Sequence, residues 1–161
     1  MAKKEINITL FPKQLEFISA QERSVLFQGG VGSGKSFCGT LWLALQALKY
    51  PRRQMMIVAK DFPQLKTATL VEFKKVLDLL NLEEGEDFVW NRANNDIMFK
   101  NGTVIFCRGA NNYMSAFRGG NMSCILADEA DAYKAEAWKL LKGRLRVSPE
   151  LLRVTSSPLR S

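Results

Sequence analysis

Gly29-Gly30-Val31-Gly32-Ser33-Gly34-Lys35-Ser36 fits the pattern G-x-x-x-x-G-K-[ST] at every fixed position. Glycines at this spacing let successive backbone N–H groups curl around phosphate oxygens. Lys35 can reach the β- and γ-phosphates, and the Ser36 hydroxyl can help hold Mg²⁺. The flanks suit the motif. Ser24-Val25-Leu26-Phe27-Gln28 reads as a short buried strand, and residues 37–50 carry Leu41, Leu45 and Leu48 at helical spacing. A strand, a glycine loop and a helix whose positive end faces the loop make an anion site. A glycine-rich turn without a ligand is the plain alternative, and the flanking pattern argues against it.

Working outward, the pattern predicts strands at 24–28, 55–59, 103–107, 123–127 and 151–155, mostly alternating with helices. This implies an α/β fold with a mainly parallel sheet covered on both faces. Ile6-Asn7-Ile8-Thr9-Leu10 alternates like an edge strand, and Pro12 suits the first turn of a helix over 12–20. Helices are expected over 63–80 and, basic and amphipathic, over 133–146. Asn101-Gly102 between two apolar runs predicts an inserted β-hairpin, to which Phe88-Val89-Trp90 adds a third antiparallel strand. Residues 111–120 read as a loop with a short helical turn.

Bulk properties set the class. The 161 residues suffice for one domain with a buried core, and 47% hydrophobic content is ordinary for a globular chain. No apolar run reaches the roughly 18 residues of a membrane span, and Met1-Ala2-Lys3-Lys4-Glu5 lacks a secretion signal's apolar core. A cytoplasmic location without membrane contact is expected. The net charge of +7 suits a polyanionic partner. Cys38, Cys107 and Cys124 have apolar neighbours and read as core residues. No histidine is present, which excludes His-based triads and leaves a carboxylate or a lysine as any general base.

Cys124-Ile125-Leu126-Ala127-Asp128-Glu129 is an apolar strand ending in two carboxylates. Asp128 can share a Mg²⁺ shell with Ser36, and Glu129 can deprotonate an attacking water, so the pair points to hydrolysis. Thr155-Ser156-Ser157-Pro158 ends the last strand in hydroxyls, either a sensing tip beside the γ-phosphate or a plain turn.

Together these residues resemble the ATPase domain of the large terminase subunit, the DNA-packaging motor of tailed bacteriophages. The resemblance spans nearly the whole chain. It rests on Phe11-Pro12-Lys13-Gln14, the loop Gly29-Gly30-Val31-Gly32-Ser33-Gly34-Lys35-Ser36, Phe117-Arg118-Gly119, Leu126-Ala127-Asp128-Glu129-Ala130 and Thr155-Ser156-Ser157-Pro158. It implies a RecA-like P-loop fold of the additional-strand, catalytic-glutamate type over residues 1–161. It implies Mg-ATP hydrolysis driving double-stranded DNA into a procapsid in the host cytoplasm. Lys35 and Glu129 would be catalytic, and Arg118 would act as a finger completing a neighbour's site in a homo-oligomeric ring. Gln14 would contact adenine, and Thr155 and Ser156 would couple hydrolysis to movement. A portal protein and a small terminase subunit are the implied partners. The family's nuclease region has no counterpart in these residues, so no DNA cleavage is expected, and Lys60-Asp61 stands where relatives often place arginine. Lys139, Lys142, Arg144 and Arg146, read as one helix, are candidate DNA-phosphate contacts. A helicase-like nucleic-acid-stimulated ATPase and a non-hydrolysing nucleotide- or DNA-binding fragment are the alternatives. A small-molecule kinase is disfavoured by Glu129 and by the lack of an obvious acceptor site.

Overall fold

The computed structural model describes residues 5–30, 32–117 and 120–158. In chain order the elements are α1 (Pro12–Ser19), β1 (Ser24–Gln28), α2 (Lys35–Lys49), β2 (Gln54–Ala59), α3 (Phe62–Gln64), a π-helical turn (Leu65–Thr69), α4 (Leu70–Leu79), β3 (Phe88–Asn91), β4 (Asp96–Phe99), β5 (Val104–Gly109), α5 (Tyr113–Ala116), β6 (Cys124–Ala127), α6 (Ala135–Lys142) and β7 (Leu151–Ser156). The strands form one seven-stranded sheet in the order β1-β7-β6-β2-β5-β4-β3. The pairs from β1 through β5 are parallel, and β4 and β3 extend the sheet antiparallel.

The central strands β2 and β6 are apolar on both faces because both faces are covered. Met55, Ile57, Cys124 and Leu126 join α2, α4 and Phe17 of α1 in one core. Met56, Val58, Ile125 and Ala127 point the other way, into a core closed by Phe117, Ala137 and Leu141. The three cysteines are free and buried, as their apolar neighbours imply. Among the described residues no helix is long and apolar enough to cross a membrane. The hairpin forms as expected, with Gly102 at φ +90° and the Asn101 amide donating to the Ala47 carbonyl at 2.8 Å.

Four expectations need correction. Residues 24–28, expected as a buried strand, form the edge strand β1, with Ser24, Leu26 and Gln28 exposed. Residues 6–10 form no strand; Ile8 and Leu10 instead lay their side chains on the first core, and among the described residues no strand pairs with the outer edge of β1. The segment expected as one helix over 63–80 is broken by the π turn, where the Leu70 N–H donates to the Leu65 carbonyl. The basic helix is shorter than 133–146. Tyr133 is held extended by its hydroxyl, and the helix stops at Gly143. Arg144 and Arg146 then pair through their backbone with Met122, so only Lys139 and Lys142 of the four basic candidates are helical.

Candidate active site

α2 begins at Lys35 because Gly34 turns the chain at φ +73°, a left-handed conformation that glycine adopts without a Cβ clash. A Cβ at Gly34 would also stand 2.6 Å from the Gln14 side chain, so α1 and the loop pack in direct contact. The loop is tied to the sheet through the Gly29 N–H, which donates to the Ser156 carbonyl at 3.1 Å. The N-terminal end of a 15-residue helix thus faces the loop, and anions bind well at such an end.

Strand ends deliver the carboxylates. β6 lies between β7 and β2 and carries Asp128 to the edge of the loop. Asp128 is fully buried, yet hydroxyls surround its carboxylate. The Ser36 hydroxyl lies 3.0 Å from both of its oxygens. Thr69 donates to Oδ2 at 2.7 Å and Thr155 to Oδ1 at 2.5 Å. Glu129 follows with φ +52° and ψ +48°. A non-glycine residue in this region carries roughly 1–3 kcal/mol of strain. The kink aims the Glu129 side chain back at the loop, and its N–H donates to the Thr155 hydroxyl at 3.1 Å.

Lys35 closes the arrangement. Its ammonium lies 3.2 Å from Glu129 Oε1 and donates to the Gly29 carbonyl at 3.0 Å and to Ser157 Oγ at 3.2 Å. Ser157 in turn donates to Glu129 Oε2 at 3.2 Å. Behind the carboxylates the Tyr133 hydroxyl sits 2.7 Å from both the Val58 and Asp128 carbonyls, bracing the ends of β2 and β6. Burial, followed by the charges of Asp128, Glu129 and Asp131, pushes its pKa well above that of an ordinary phenol. An open cleft of ≈ 510 Å³ faces the loop, Glu129 and Ser157. A larger hollow of ≈ 820 Å³ runs along α1 and β1 and is lined by neither Lys35, Ser36, Asp128 nor Glu129.

The residues fit a magnesium nucleotide. Mg²⁺ is held through few protein oxygens plus the substrate's phosphates, and Ser36 with Asp128 offers such a pair of hard donors. Among the described residues no cluster of three or more His, Cys, Asp or Glu forms an all-protein cage.

Lys35, Ser36, Asp128, Glu129 and Thr155 therefore meet at one place. Gln14 abuts the loop, but its amide is occupied: Oε1 accepts from the Phe11 N–H at 3.0 Å and Nε2 donates to the Ser33 carbonyl at 3.3 Å. The Ser156 hydroxyl donates to the Ser157 carbonyl; strand alternation directs Thr155 and Ser157, rather than Ser156, at the carboxylates. Val31 and Arg118 lie outside the described residues. Lys139, Arg144 and Arg146 line a separate hollow with Tyr113 and Met114. Asp61, expected only as a departure from relatives, caps α3 by accepting from the Gln64 N–H at 2.8 Å. Thr69 and Tyr133 had no assigned role in the sequence. The five-residue step between Leu65 and Leu70, longer than an α-helical stripe allows, was the available signal for the first.

Residues 26–161 match the family described as terminase large subunit, T4likevirus-type, N-terminal. The PBSX phage terminase large subunit of Bacillus subtilis (strain 168) is 30% identical over 152 residues, covering 94% of this chain and 33% of that protein. The chain thus spans about a third of its curated relative. The large terminase of a thermophilic bacteriophage superposes with a TM-score of 0.79 at 17% identity, covering 91% of this chain and 39% of that one. The same phage's terminase in complex with ATP-gamma-S matches at 0.74 and 16% identity, over 90% of this chain and 37% of that one. The large terminase ATPase domain of Thermus phage P74-26 gives 0.74 at 16% identity, over 95% of this chain and 66% of that one. The fold shared with these structures is the RecA-like P-loop type.

Proposed function

Since the chain belongs to the terminase large subunit N-terminal family, we propose that it binds Mg-ATP at Gly29–Ser36 and hydrolyses it to move double-stranded DNA into a viral procapsid. The observation that carries this reading is the convergence of Lys35, Ser36, Asp128 and Glu129 on the N-terminus of α2. The likenesses to the P74-26 ATPase domain and to the terminase solved with ATP-gamma-S support the nucleotide assignment.

In this reading the loop N–H groups and Lys35 hold the triphosphate, and Gln14 releases its backbone partners to meet the adenine edge. Ser36 and Asp128 would hold Mg²⁺, which when bound neutralises charge on the β- and γ-phosphates. Glu129 takes a proton from the water that attacks the γ-phosphorus, as the bond to the β–γ bridging oxygen breaks and leaves ADP and phosphate. Arg118 from an adjacent copy stabilises the charge on the transferring phosphoryl group. Thr155 and Ser156 pass the change to a DNA-contacting surface in which Lys139 and Lys142 take part. The motor would be a homo-oligomeric ring working with a portal protein and a small terminase subunit at the procapsid, in the host cytoplasm.

Steady-state Mg-ATP hydrolysis across protein concentrations, with and without duplex DNA, tests this reading. A rate per subunit that rises with concentration and with DNA is expected. Glu129→Gln should lower it by about 10²–10⁴-fold, the range for loss of a general base. Equal turnover by Glu129→Gln would refute the assignment of the base. Nucleotide binding without turnover in the wild type would reduce the chain to a binding module.

A further inference from the structure

Leu65–Thr69 winds with the five-residue register of a π-helix between α3 and α4. Counting back in α-helical sevens from Phe73 would turn Lys66 toward the sheet. The extra residue in the turn points Lys66 to solvent and seats Leu65 in the interior, while Thr69, one α-helical turn before Phe73, faces the same interior; both are fully buried. Such turns recur at functional sites.

Thr69 behaves unlike other helical threonines of this chain. The Thr40 and Thr67 hydroxyls donate to carbonyls four residues back, at 2.8 and 2.7 Å, the usual resting place for a threonine within a helix. The Thr69 hydroxyl crosses instead to Asp128 Oδ2 at 2.7 Å. Its position in sequence, far from both the phosphate loop and the Asp-Glu pair, hid this contact. Of the three hydroxyls on Asp128, the one from Ser36 is also the candidate metal ligand. Thr69 and Thr155 are the two that can stay on the carboxylate when Ser36 turns to another partner, and they hold opposite oxygens.

We propose that Thr69 is a positioning residue for the Asp128 carboxylate, fixing one oxygen so that the other groups of the site can present a magnesium nucleotide in one geometry. This rests on the reading of Ser36 and Asp128 as the Mg²⁺-holding pair. Partners behind a metal-holding carboxylate typically change metal affinity by about 10- to 100-fold when removed.

The test is equilibrium binding of a fluorescent non-hydrolysable ATP analogue, titrated in EDTA and again in excess Mg²⁺. Wild type should bind more tightly with Mg²⁺. Thr69→Val should lose about tenfold of that gain while keeping its affinity in EDTA. Thr69→Ser, which keeps the donor, should restore the gain. Thr69→Ala, a second hydroxyl-free variant, replaces Thr69→Val should the latter fail to fold. A full Mg²⁺ gain in the hydroxyl-free variant overturns the role of Thr69 alone. Equal loss in Thr69→Ser overturns it too, because bulk rather than the hydroxyl would then matter. A wild type with no Mg²⁺ gain overturns the Ser36–Asp128 assignment and the role of Thr69 with it.

Discussion

Lys35 and Glu129 face each other across 3.2 Å, with Ser157 touching both. The cation expected to hold phosphate and the carboxylate expected to activate water are thus each other's partners. A triphosphate entering the cleft must take Lys35 from Glu129, an exchange of one anion for another. Glu129→Gln should therefore bind a non-hydrolysable ATP analogue more tightly than wild type, by roughly three- to tenfold, because the pair is only partly shielded from solvent and contributes near 1 kcal/mol. Calorimetric titration at two salt concentrations reads this, and the difference should shrink as salt rises. Unchanged or weaker binding would mean that the ion pair adds nothing to the ligand-free state. The phosphate loop and the Asp-Glu pair were legible in the sequence because each is a contiguous run. The Lys35–Ser157 contact was not, since it joins distant parts of the chain through one hydroxyl.

At the scale of elements, α2 decides the site because it carries the loop's end and packs across β6 and β7. Gly39 permits that approach. A Cβ there would stand 2.6 Å from Leu126 Cδ1 and 3.3 Å from Thr155 Cγ2. Leu126 is fully buried and has little room to yield. Gly39→Val should cost about 2 kcal/mol of stability, the usual range for overpacking being roughly 1–3, and should also lower ATPase activity by displacing Thr155. Urea unfolding alongside turnover would check both, and native stability in the variant would rule out the tight contact. Helix α2 was readable from its leucine spacing, and the hairpin from Asn101-Gly102. The break in the following helix was missed because Leu65, Leu70, Phe73 and Leu77 look like one stripe until the five-residue step is counted. The basic helix was overextended because Arg144 and Arg146 keep a helical spacing that the backbone abandons at Gly143.

For the molecule as a whole, burial of the thiols governs alkaline stability. It pushes Cys38 and Cys124 from 9.0 up to about 12, and Cys107 higher still. Tyr133 shifts in the same direction. Above about pH 9 the unfolded chain releases its thiol protons and the folded chain keeps them. Stability is thus full below about pH 9 and is lost as the pH climbs toward about 12, each thiol contributing about 1.4 kcal/mol per pH unit at most. The urea midpoint should fall between about pH 9 and 10.5, and Cys38→Ala should make that fall shallower even if it lowers the midpoint throughout. A flat midpoint would show that the thiols titrate as if exposed. Strand identities were readable from apolar runs, but their order was not: nothing local in Leu151–Ser156 says that it inserts between β1 and β6.

That insertion bears on how the protein is made. Among the described strands β1 has β7 as its only neighbour, and β7 is the last of them to leave the ribosome. At synthesis rates of about 5–20 residues per second, β1 waits roughly six to twenty-five seconds for its partner. The phosphate loop hangs from β1 throughout, so a nascent chain displays its most conspicuous motif long before it can shape it. Ribosomes that stall before residue 151 would carry five paired strands with β1 detached and the β6 edge open, and unpaired strand edges are what chaperones shield.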